Sequence, residues 1–328
     1  MIGCEEMELR HQRKRETEKS TKGHLFVFFL FLFFLAYGIS ILGNKETERF
    51  IYEENPGQIW VERQEIWGKR RIELEEYLVG MVAGTIPFEF EMETLKAQAV
   101  ILRSHCVSMV EKIDGRKIVK EEDVQNYYLS EKERSLLWKD EEETYSKKIK
   151  EAVTSTKGKV LLFQDQMIAP PFFLSGNGKT RDMRDYPAFG EKLGYIKSVE
   201  CPKDIESENY NYYSEITEQE FIKILEKKLK KRNQKVGKIT LFRDSSNYIK
   251  TVEIGESQIN GEEFRGLFSL PSSCFQIEKI NHMIQFKTVG RGHGFGFSQF
   301  QANEFAKEGM KMEEILAYFF EDISLEKI

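Results

Sequence analysis

The sequence predicts an α+β fold, in which mixed helices and short strands form a grooved ectodomain behind one N-terminal transmembrane helix. Two observations support this prediction. A long uncharged apolar run lies near the N-terminus, and the rest of the chain intersperses helical and strand patterns without a regular βαβ rhythm. At roughly 280 residues the ectodomain forms either one large domain or two lobes.

The N-terminal region is predicted to anchor the chain in the cell membrane as a single pass. No charged residue occurs from His24 to Asn44, and about 20 apolar residues suffice to cross a bilayer. Cations are concentrated before this run, so residues 1–23 are predicted to be a cytoplasmic tail and 24–44 the membrane helix, with the C-terminal domain extracytoplasmic. The alternative is a cleaved signal peptide, but the run is longer than an h-region and lacks a clear A-x-A site.

Composition excludes several classes of protein. The net charge is −5 with both signs mixed, so no nucleic-acid surface is indicated. Outside the membrane the chain has Cys106, Cys201 and Cys274, which permit at most one internal disulfide of undetermined pairing. Because no C-x-x-C or H-x-x-x-H pair occurs, no metal and no cofactor are predicted.

The domain organisation follows from local patterns. Residues 45–70 are predicted to be a stalk that enters a strand, and residues 71–328 the folded domain. Leu74 to Val82 is predicted to be a short apolar helix or turn that Pro87 ends. Apolar residues then recur at steps of three and four from Leu95 to Ile113, which indicates an amphipathic helix. Residues 114–151 are highly charged and typical of a solvated helical hairpin.

The C-terminal half shows further strands and a glycine-rich loop. Strands are predicted at Lys159 to Phe163, Met167 to Phe173, Ile239 to Phe242 and Ile249 to Ile254, and a helix at Phe221 to Arg232. The segment Gly290 to Gln299 reads GRGHGFGFSQ and enters a helix that Ser298 and Gln301 cap and Gly309 ends. It lacks the G-K-[ST] ending of a phosphate loop.

Four blocks of the sequence resemble, in order, the motifs of the stage II sporulation protein D family, also called the SpoIID/LytB domain. They are LEEYLVGMVA…P…ETLKAQAVILR, TKGKVLLF…PPFFLSGNGKTR, GYIKSVECPKD and GRGHGFGFSQFQANEFAKEGMKMEEILAYFF, and they span roughly residues 70 to 322. The resemblance implies a peptidoglycan lytic transglycosylase of the sporulation (engulfment) machinery. It also implies glycan strands, a cell-wall amidase and membrane proteins of the engulfment complex as partners.

The sequence departs from the family at the position of the family's catalytic acid. The residue before the Ile-Pro pair is usually a glutamate, which protonates the glycosidic oxygen; here it is Thr85, whose hydroxyl cannot perform that step. Glu89 is the nearest stand-in. However, Glu89, Glu91 and Glu93 also suit the start of a helix, where acids complement the helix dipole.

The resemblance implies substrate-binding roles for eight further positions. These are Arg103, Tyr195, Lys197, Gly292, His293, Gly294, Ser298 and Gln299. Structural alternatives exist for several of them: Arg103 in an ion pair with Glu93 or a neighbour, Tyr195 packed and Lys197 solvated on a half-buried strand, and His293 bonded to backbone groups.

Further departures surround the missing acid. Residues 114–130 lack the Cys and His residues that many relatives carry there, and Phe173 with Leu174-Ser175-Gly176 replaces a histidine or serine-rich loop. Two hypotheses follow. The chain is either a glycan-binding or amidase-activating homologue with impaired or altered catalysis, or an active transglycosylase whose acid has moved to Glu89.

Overall fold

The computed structural model describes residues 58–65, 68–124, 128–189, 191–230 and 238–328. The predicted cytoplasmic tail, the membrane helix and the first part of the stalk lie outside these residues. Within the described ranges, no helix combines the length and apolar character needed to cross a membrane.

Helices and strands alternate irregularly along the described chain. Nine helices are assigned in the described ranges: α1 Leu74–Thr85, α2 Met92–Ser108, α3 Glu121–Val124, α4 Glu131–Trp138, α5 Glu142–Ser155, α6 Glu218–Leu229, α7 Gly261–Leu267, α8 Gln299–Lys307 and α9 Met312–Phe319. The strands of the same ranges are β1 Ile59–Glu65, β2 Gly68–Glu73, β3 Glu111–Ile113, β4 Arg116–Lys120, β5 Lys159–Phe163, β6 Gln166–Met167, β7 Phe172–Phe173, β8 Asn211–Thr217, β9 Ile239–Arg243, β10 Ile249–Ile254, β11 Ser257–Asn260, β12 Phe275–Ile280, β13 Met283–Val289, β14 Phe297–Ser298 and β15 Ile323–Lys327.

The strands form small sheets rather than one large one. Their orders are β2-β1-β4-β3, β11-β10-β9, β12-β13-β8, β14-β7 and β15-β5-β6. Most pairs are antiparallel, but β1–β4 and β14–β7 are parallel. The predicted α+β class is confirmed. Whether the domain has two lobes stays a prediction.

The first described strand, β1, lies within residues 45–70, the predicted stalk. β1 pairs antiparallel with β2, from Trp60 opposite Glu73 to Glu65 opposite Gly68, and also pairs parallel with β4. The end of the predicted stalk is therefore part of the domain's first sheet.

The charged region 114–151 is only partly a helical hairpin. Its first part is the turn and second strand of a β-hairpin, β3 to β4, with Asp114 and Gly115 at positive φ of 50° and 78°. An Asp-Gly pair is the usual sequence of such a turn. Its second part contains α4 and α5, as predicted.

Helix α2 lies between two hydrophobic clusters. One side carries Leu95, Ala99 and Leu102, which join a cluster with α1, α5 and β1. Another side carries Val100 and Ile101, which join a cluster with β5 and α9. Each fully buried side chain of this size contributes on the order of 1.5–3 kcal/mol. This two-sided burial fixes the helix and the polar side chains it carries.

A third hydrophobic cluster lies under the C-terminal sheets. Phe221 and Leu225 of α6 pack with Phe264 of α7 and with Phe275 and Phe286 of β12 and β13. Cys106, Cys201 and Cys274, the cysteines of the described ranges, are all buried and free. The one disulfide that their number allows is therefore not formed.

Candidate functional site

Thr85 is the last residue of α1 and is held through both its side chain and its backbone. Its hydroxyl donates to the carbonyl of Met81 one turn earlier, at 2.7 Å. Its own carbonyl accepts from Nε2 of Gln299 at 2.8 Å. Ile86 leaves the helix in extended conformation and Pro87 follows, so the helix ends here. Residue 85 is half-buried.

Two buried amides flank Thr85. Gln98 of α2 is 0% exposed and Gln299 at the start of α8 is 2% exposed. Nε2 of Gln299 donates to Oε1 of Gln98 at 3.2 Å, and Nε2 of Gln98 lies 3.5 Å from Oγ1 of Thr85. The side-chain amides of α2 and of the start of α8 therefore meet at residue 85, and the latter lies 214 positions away in the sequence.

The turn after Pro87 is fixed by a lysine and an asparagine. Nζ of Lys148, on α5, donates to the carbonyls of Phe88, Glu89 and Phe90 at 3.2, 3.3 and 2.7 Å. Oδ1 of Asn303, on α8, accepts from the backbone N–H of the residue that precedes α2, Glu91, at 2.7 Å. The described chain thus holds this turn from two other helices.

Aromatic rings pack on the same turn. Phe88 lies 3.9 Å from Tyr145 and 5.3 Å from Trp138 between ring centroids, and Phe90 lies 6.4 Å from Phe300. The side chain of Glu89, by contrast, is exposed to solvent. Glu89 therefore lacks the apolar enclosure that a general acid needs near neutral pH.

The glycines of the C-terminal loop allow close packing within the protein. Gly292 has φ of 125°, and a Cβ there would lie 2.4 Å from Cβ of Phe173. Gly294 has φ of 81°, and a Cβ there would lie 2.4 Å from the ring of Tyr248. Both positions were predicted to bind substrate. The structure gives each of them a structural reason to be glycine.

His293, between these glycines, is half-buried and bonded to the backbone. Its Nδ1 accepts from the N–H of Phe295 at 3.1 Å, and its ring lies beside Phe173. Its carbonyl accepts from the guanidinium of Arg181 at 3.0 Å. Burial lowers the pKa of His293 to about 4, so the ring is neutral at pH 7. This arrangement is the backbone-bonded alternative stated above.

Ser298 positions α8 through a buried aspartate. Its hydroxyl accepts from the N–H of Gln301 as the helix N-cap and donates to Oδ1 of Asp204 at 2.6 Å. Asp204 also accepts from the N–H of Gly176 at 2.6 Å. Burial raises the pKa of Asp204 to about 6. Asp204 thereby ties the loop at Gly176 to the start of the helix that carries Gln299.

Arg103 is a structural residue in this geometry. Its side chain is 0% exposed and makes a bidentate ion pair with Glu75, at 2.8 and 2.7 Å. It also donates to the carbonyls of Val153 and Lys159. The family resemblance implied that Arg103 faces a groove. In the structure Arg103 instead forms the ion pair that was the structural alternative, with Glu75 as its partner. Glu93 pairs with Lys96 instead.

Tyr195 and Lys197 do not form an exposed pair. Tyr195 is 1% exposed; its ring packs near Phe163 and Phe320. Burial raises the pKa of its hydroxyl to about 12. Lys197 is half-buried, with Nζ 3.4 Å from a carboxylate oxygen of Glu321. Tyr195 is therefore packed inside the protein, as in the structural alternative given above, whereas Lys197 remains accessible.

Five residues of the site region had no predicted role: Gln98, Lys148, Arg181, Asp204 and Asn303. Gln98, Arg181, Asp204 and Asn303 lie inside the sequence blocks that carry the family resemblance, and membership of those blocks is the signal that could have marked them. Arg181 is 1% exposed and pairs with Asp244 at 2.6 Å and Glu262 at 2.7 Å. Lys148 lies outside the blocks and acts across the fold, so no local pattern could have identified it.

Arg291 is an exposed cation next to this assembly. Its backbone carbonyl accepts from the N–H of Leu174 at 3.2 Å, and the carbonyl of Leu174 accepts from the N–H of Phe300 at 2.9 Å. In the described part of the chain, its guanidinium has no ion pair or hydrogen bond. No cluster of three or more His, Cys, Asp or Glu side chains suited to a metal ion occurs in the described ranges.

Comparisons with known proteins agree with these sequence blocks. The family described as Stage II sporulation protein matches residues 62–163. Stage II sporulation protein D of Bacillus subtilis (strain 168) is 34% identical over 273 residues, covering 81% of this chain and 78% of that protein.

Two further relatives cover a similar span. The protein of the same name from Bacillus amyloliquefaciens is 29% identical, over 83% of this chain and 80% of its own length. An uncharacterised protein of Brachyspira hyodysenteriae is 22% identical, over 77% of this chain and 67% of its own length. With this identity and coverage, the chain belongs to the stage II sporulation protein D family.

Proposed function

We propose that this chain is a membrane-anchored cell-wall protein of the sporulation machinery that binds peptidoglycan glycan strands with impaired or altered transglycosylase activity. The observation that carries the proposal is the setting of Thr85. The family's acid position is held by two buried amides, Gln98 and Gln299, yet its side chain has no carboxyl group.

The surroundings of residue 85 suit a carboxylic acid, although the residue there is a threonine. It is the last residue of α1, where the negative end of the helix dipole raises the pKa of a carboxyl group. A transglycosylase needs such a raised pKa, because its acid must be protonated near neutral pH to donate to the glycosidic oxygen. A threonine keeps the fold of this setting and removes the proton donor.

The surrounding side chains support binding of a glycan. The half-buried rings of Phe88 and Phe90 offer apolar surface in the turn that follows residue 85. Arg291 offers a guanidinium that no described residue engages. Removal of stem peptides by an amidase leaves a lactyl carboxylate on each muramic acid, and a guanidinium binds a carboxylate in bidentate geometry. These groups favour peptide-free strands as the ligand.

The second candidate function is an active transglycosylase that uses Glu89. The rigid turn around Glu89, held by Lys148, favours it, because a catalytic acid must be positioned. The exposure of the Glu89 side chain opposes it. The first function is therefore the better supported.

The test uses the detergent-solubilised full-length protein and peptidoglycan sacculi stripped of stem peptides. We expect the protein to sediment with the sacculi and to release no anhydro-muramic products detectable by mass spectrometry. Failure to sediment would refute glycan binding. Release of anhydro products would refute impaired catalysis, and their loss in Glu89→Gln would identify Glu89 as the acid.

The same proposal places the domain outside the membrane, beside a cell-wall amidase and the membrane proteins of the engulfment complex. Without an acid of its own, the protein would contribute by holding glycan where an amidase acts. We expect addition of the full-length protein to increase the release of stem peptides from sacculi by such an amidase. An unchanged release rate, with sedimentation intact, would argue against this partnership.

A further inference from the structure

Strand β8 forms one edge of the sheet β12-β13-β8. It pairs with β13 in a continuous register, from Asn211 opposite Val289 to Thr217 opposite Met283. In the described part of the chain, no strand or isolated bridge pairs with its other side. Five of its seven residues are exposed to solvent. The strand therefore presents backbone N–H and C=O groups that can pair with a further strand.

The sequence of β8 lacks the features by which proteins protect such an edge. It reads NYYSEIT, with no lysine, proline or glycine and a single charge at Glu215. Lysine, proline, bulges and very short length are the usual protections of an exposed edge. The opposite edge differs, because β12 carries Lys279, and the guanidinium of Arg243 donates to the carbonyl of Phe275 at 2.7 Å. The edge open to pairing is therefore that of β8.

Tyr212 lies on the core side of the sheet and yet is accessible. It is opposite Thr288 of β13, which is 0% exposed. Ile216 lies on the same side of β8, where it packs against the third hydrophobic cluster. Tyr212 is nevertheless 45% exposed, and Ile216 is only half-buried. A further strand beside β8 would cover both side chains and continue the core side of the sheet.

The strand is complementary to itself in antiparallel pairing. When Ser214 lies opposite Ser214 of a second copy, all seven residues of β8 are paired. Tyr212 then lies opposite Ile216 on the core side, and no two like charges meet. On the outer side, Tyr213 lies opposite Glu215. This side-chain match favours a second β8 over an unrelated extended peptide, which would satisfy the backbone groups alone.

Other registers are poorer. A shift by one residue would place the core side of one copy beside the solvent side of the other. A shift by two residues leaves fewer residues paired, and in one direction it places Glu215 opposite Glu215 of the second copy. Like charges directly opposite each other are destabilising. The register with Ser214 at the centre is therefore the favoured one.

We infer that β8 is the interface of a homodimer, in which two copies pair antiparallel through this edge about a two-fold axis at Ser214. The pairing joins two three-stranded sheets into one continuous sheet. The contact is isologous, because each copy uses the same edge, so the assembly closes at two copies. The inference does not depend on the proposed function, since it involves neither glycan nor Thr85.

The test is the oligomeric state of the full-length protein in detergent, measured by sedimentation equilibrium over a range of protein concentrations. Tyr213→Glu places a carboxylate opposite Glu215 of the other copy, twice in each dimer. Within one copy the new carboxylate lies opposite Lys287 of β13, an opposite-charge pair that favours the folded monomer. We expect a monomer–dimer equilibrium for the parent protein and a Kd of dimerisation raised about tenfold in Tyr213→Glu.

Two further variants complete the test. Gln276→Glu is the matched control, because it adds the same charge opposite Lys287 but on β12, away from the interface. We expect it to dimerise as the parent protein does. Combining Tyr213→Glu with Glu215→Lys places opposite charges across the interface, and we expect this exchange to restore dimerisation. Thermal unfolding of each variant establishes that it is folded.

Several results would count against the inference. A parent protein that is monomeric at every concentration would overturn it. Equal dimerisation of the parent and Tyr213→Glu, or equal losses in Tyr213→Glu and Gln276→Glu, would also overturn it, because the contact between copies would then lie elsewhere. Failure of the charge exchange to restore dimers would refute the register centred on Ser214. If peptide-bearing wall fragments protected the β8 amides of a monomeric parent from hydrogen exchange, the edge would instead belong to an extended peptide.

Discussion

At the scale of single residues, burial separates structural groups from accessible ones. Arg103 and Arg181 have exposures of 0% and 1% and engage carboxylates inside the domain, whereas Arg291 is exposed. The sequence alone could not assign these roles, because an arginine inside a motif looks the same in an ion pair and in a groove. The family resemblance marked Arg103 but did not mark Arg291.

Replacing Arg103 tests its structural role. Arg103→Met leaves the carboxylate of Glu75 without its bidentate partner, and breaking a fully buried pair in this way costs about 3–5 kcal/mol. Because the Glu75 side chain is 19% exposed, we expect chemical denaturation to show a loss at or below the lower end of that range. Arg184→Met is the matched control, because Arg184 pairs with Asp182 while 79% exposed, and an exposed pair contributes about 0–1 kcal/mol. Equal stabilities for the two variants, with weaker glycan binding in Arg103→Met, would instead support a groove role.

The pH dependence of stability tests two titratable groups, the buried Asp204 and the half-buried His293, whose pKa values are shifted in opposite directions. The pKa of Asp204 is raised from 3.8 to about 6, so the folded protein binds this proton more tightly than the unfolded chain does. Its contribution to stability is therefore greatest near pH 4 and falls as the pH rises to about 6. The pKa of His293 is lowered from 6.5 to about 4, so its contribution is greatest above pH 6.5 and falls as the pH drops towards 4.

Two variants separate these contributions. We expect the destabilisation caused by Asp204→Asn, relative to the parent, to be largest near pH 4 and to shrink towards pH 7. The destabilisation caused by His293→Gln should instead grow from pH 4 to pH 7. Urea unfolding at several pH values between 4 and 7 measures both differences. If the destabilisation of both variants changed with pH in the same direction, one of the two pKa shifts would be contradicted.

At the scale of elements, local chemistry predicted the ends of α8 better than the end of α2, which stops at Ser108 rather than at Ile113, and better than the pairing of strands. Ser298 as N-cap of α8 and Gly309 beyond its end depend on neighbouring residues only, and both are confirmed. The parallel pairing of β1 with β4 joins residues about 58 apart in the chain, for example Ile59 with Lys117. No local pattern specifies such a partner. The hairpin at Asp114 did have a local signal, its Asp-Gly pair, but the many charged residues around it suggested a solvated helix instead.

The prediction at the scale of elements concerns the glycine-rich loop. Gly292→Ala places a Cβ 2.4 Å from Cβ of Phe173 in a backbone with φ of 125°. Gly178 also has positive φ, at 107°, but a Cβ at that position would have no atom within 4 Å, so Gly178→Ala isolates the backbone strain. We expect thermal unfolding to show a loss of about 1–2 kcal/mol for the control and about 1–3 kcal/mol more for Gly292→Ala. Equal losses would mean that the contact with Phe173 is not tight.

At the scale of the whole molecule, the site is an assembly of distant segments. Gln299 bonds to the carbonyl of Thr85 across 214 positions of sequence, and Asn303 to the N–H of Glu91 across 212. Periodicity and capping could predict the helices that carry these side chains but not their meeting point. The family resemblance did group the segments, because it matched their blocks in one order. Residues that act from outside those blocks, such as Lys148, stayed hidden until the fold was known.

The central claim is that the domain keeps the setting of a transglycosylase acid at residue 85, although that residue is a threonine. Thr85→Glu tests it most directly, with anhydro-muramic products from peptide-free sacculi measured by mass spectrometry. We expect no product from the parent protein and clear product from Thr85→Glu, because the position lies at the end of α1 beside Gln98 and Gln299. Products from the parent protein, or a folded, glycan-binding Thr85→Glu that releases none, would contradict the claim.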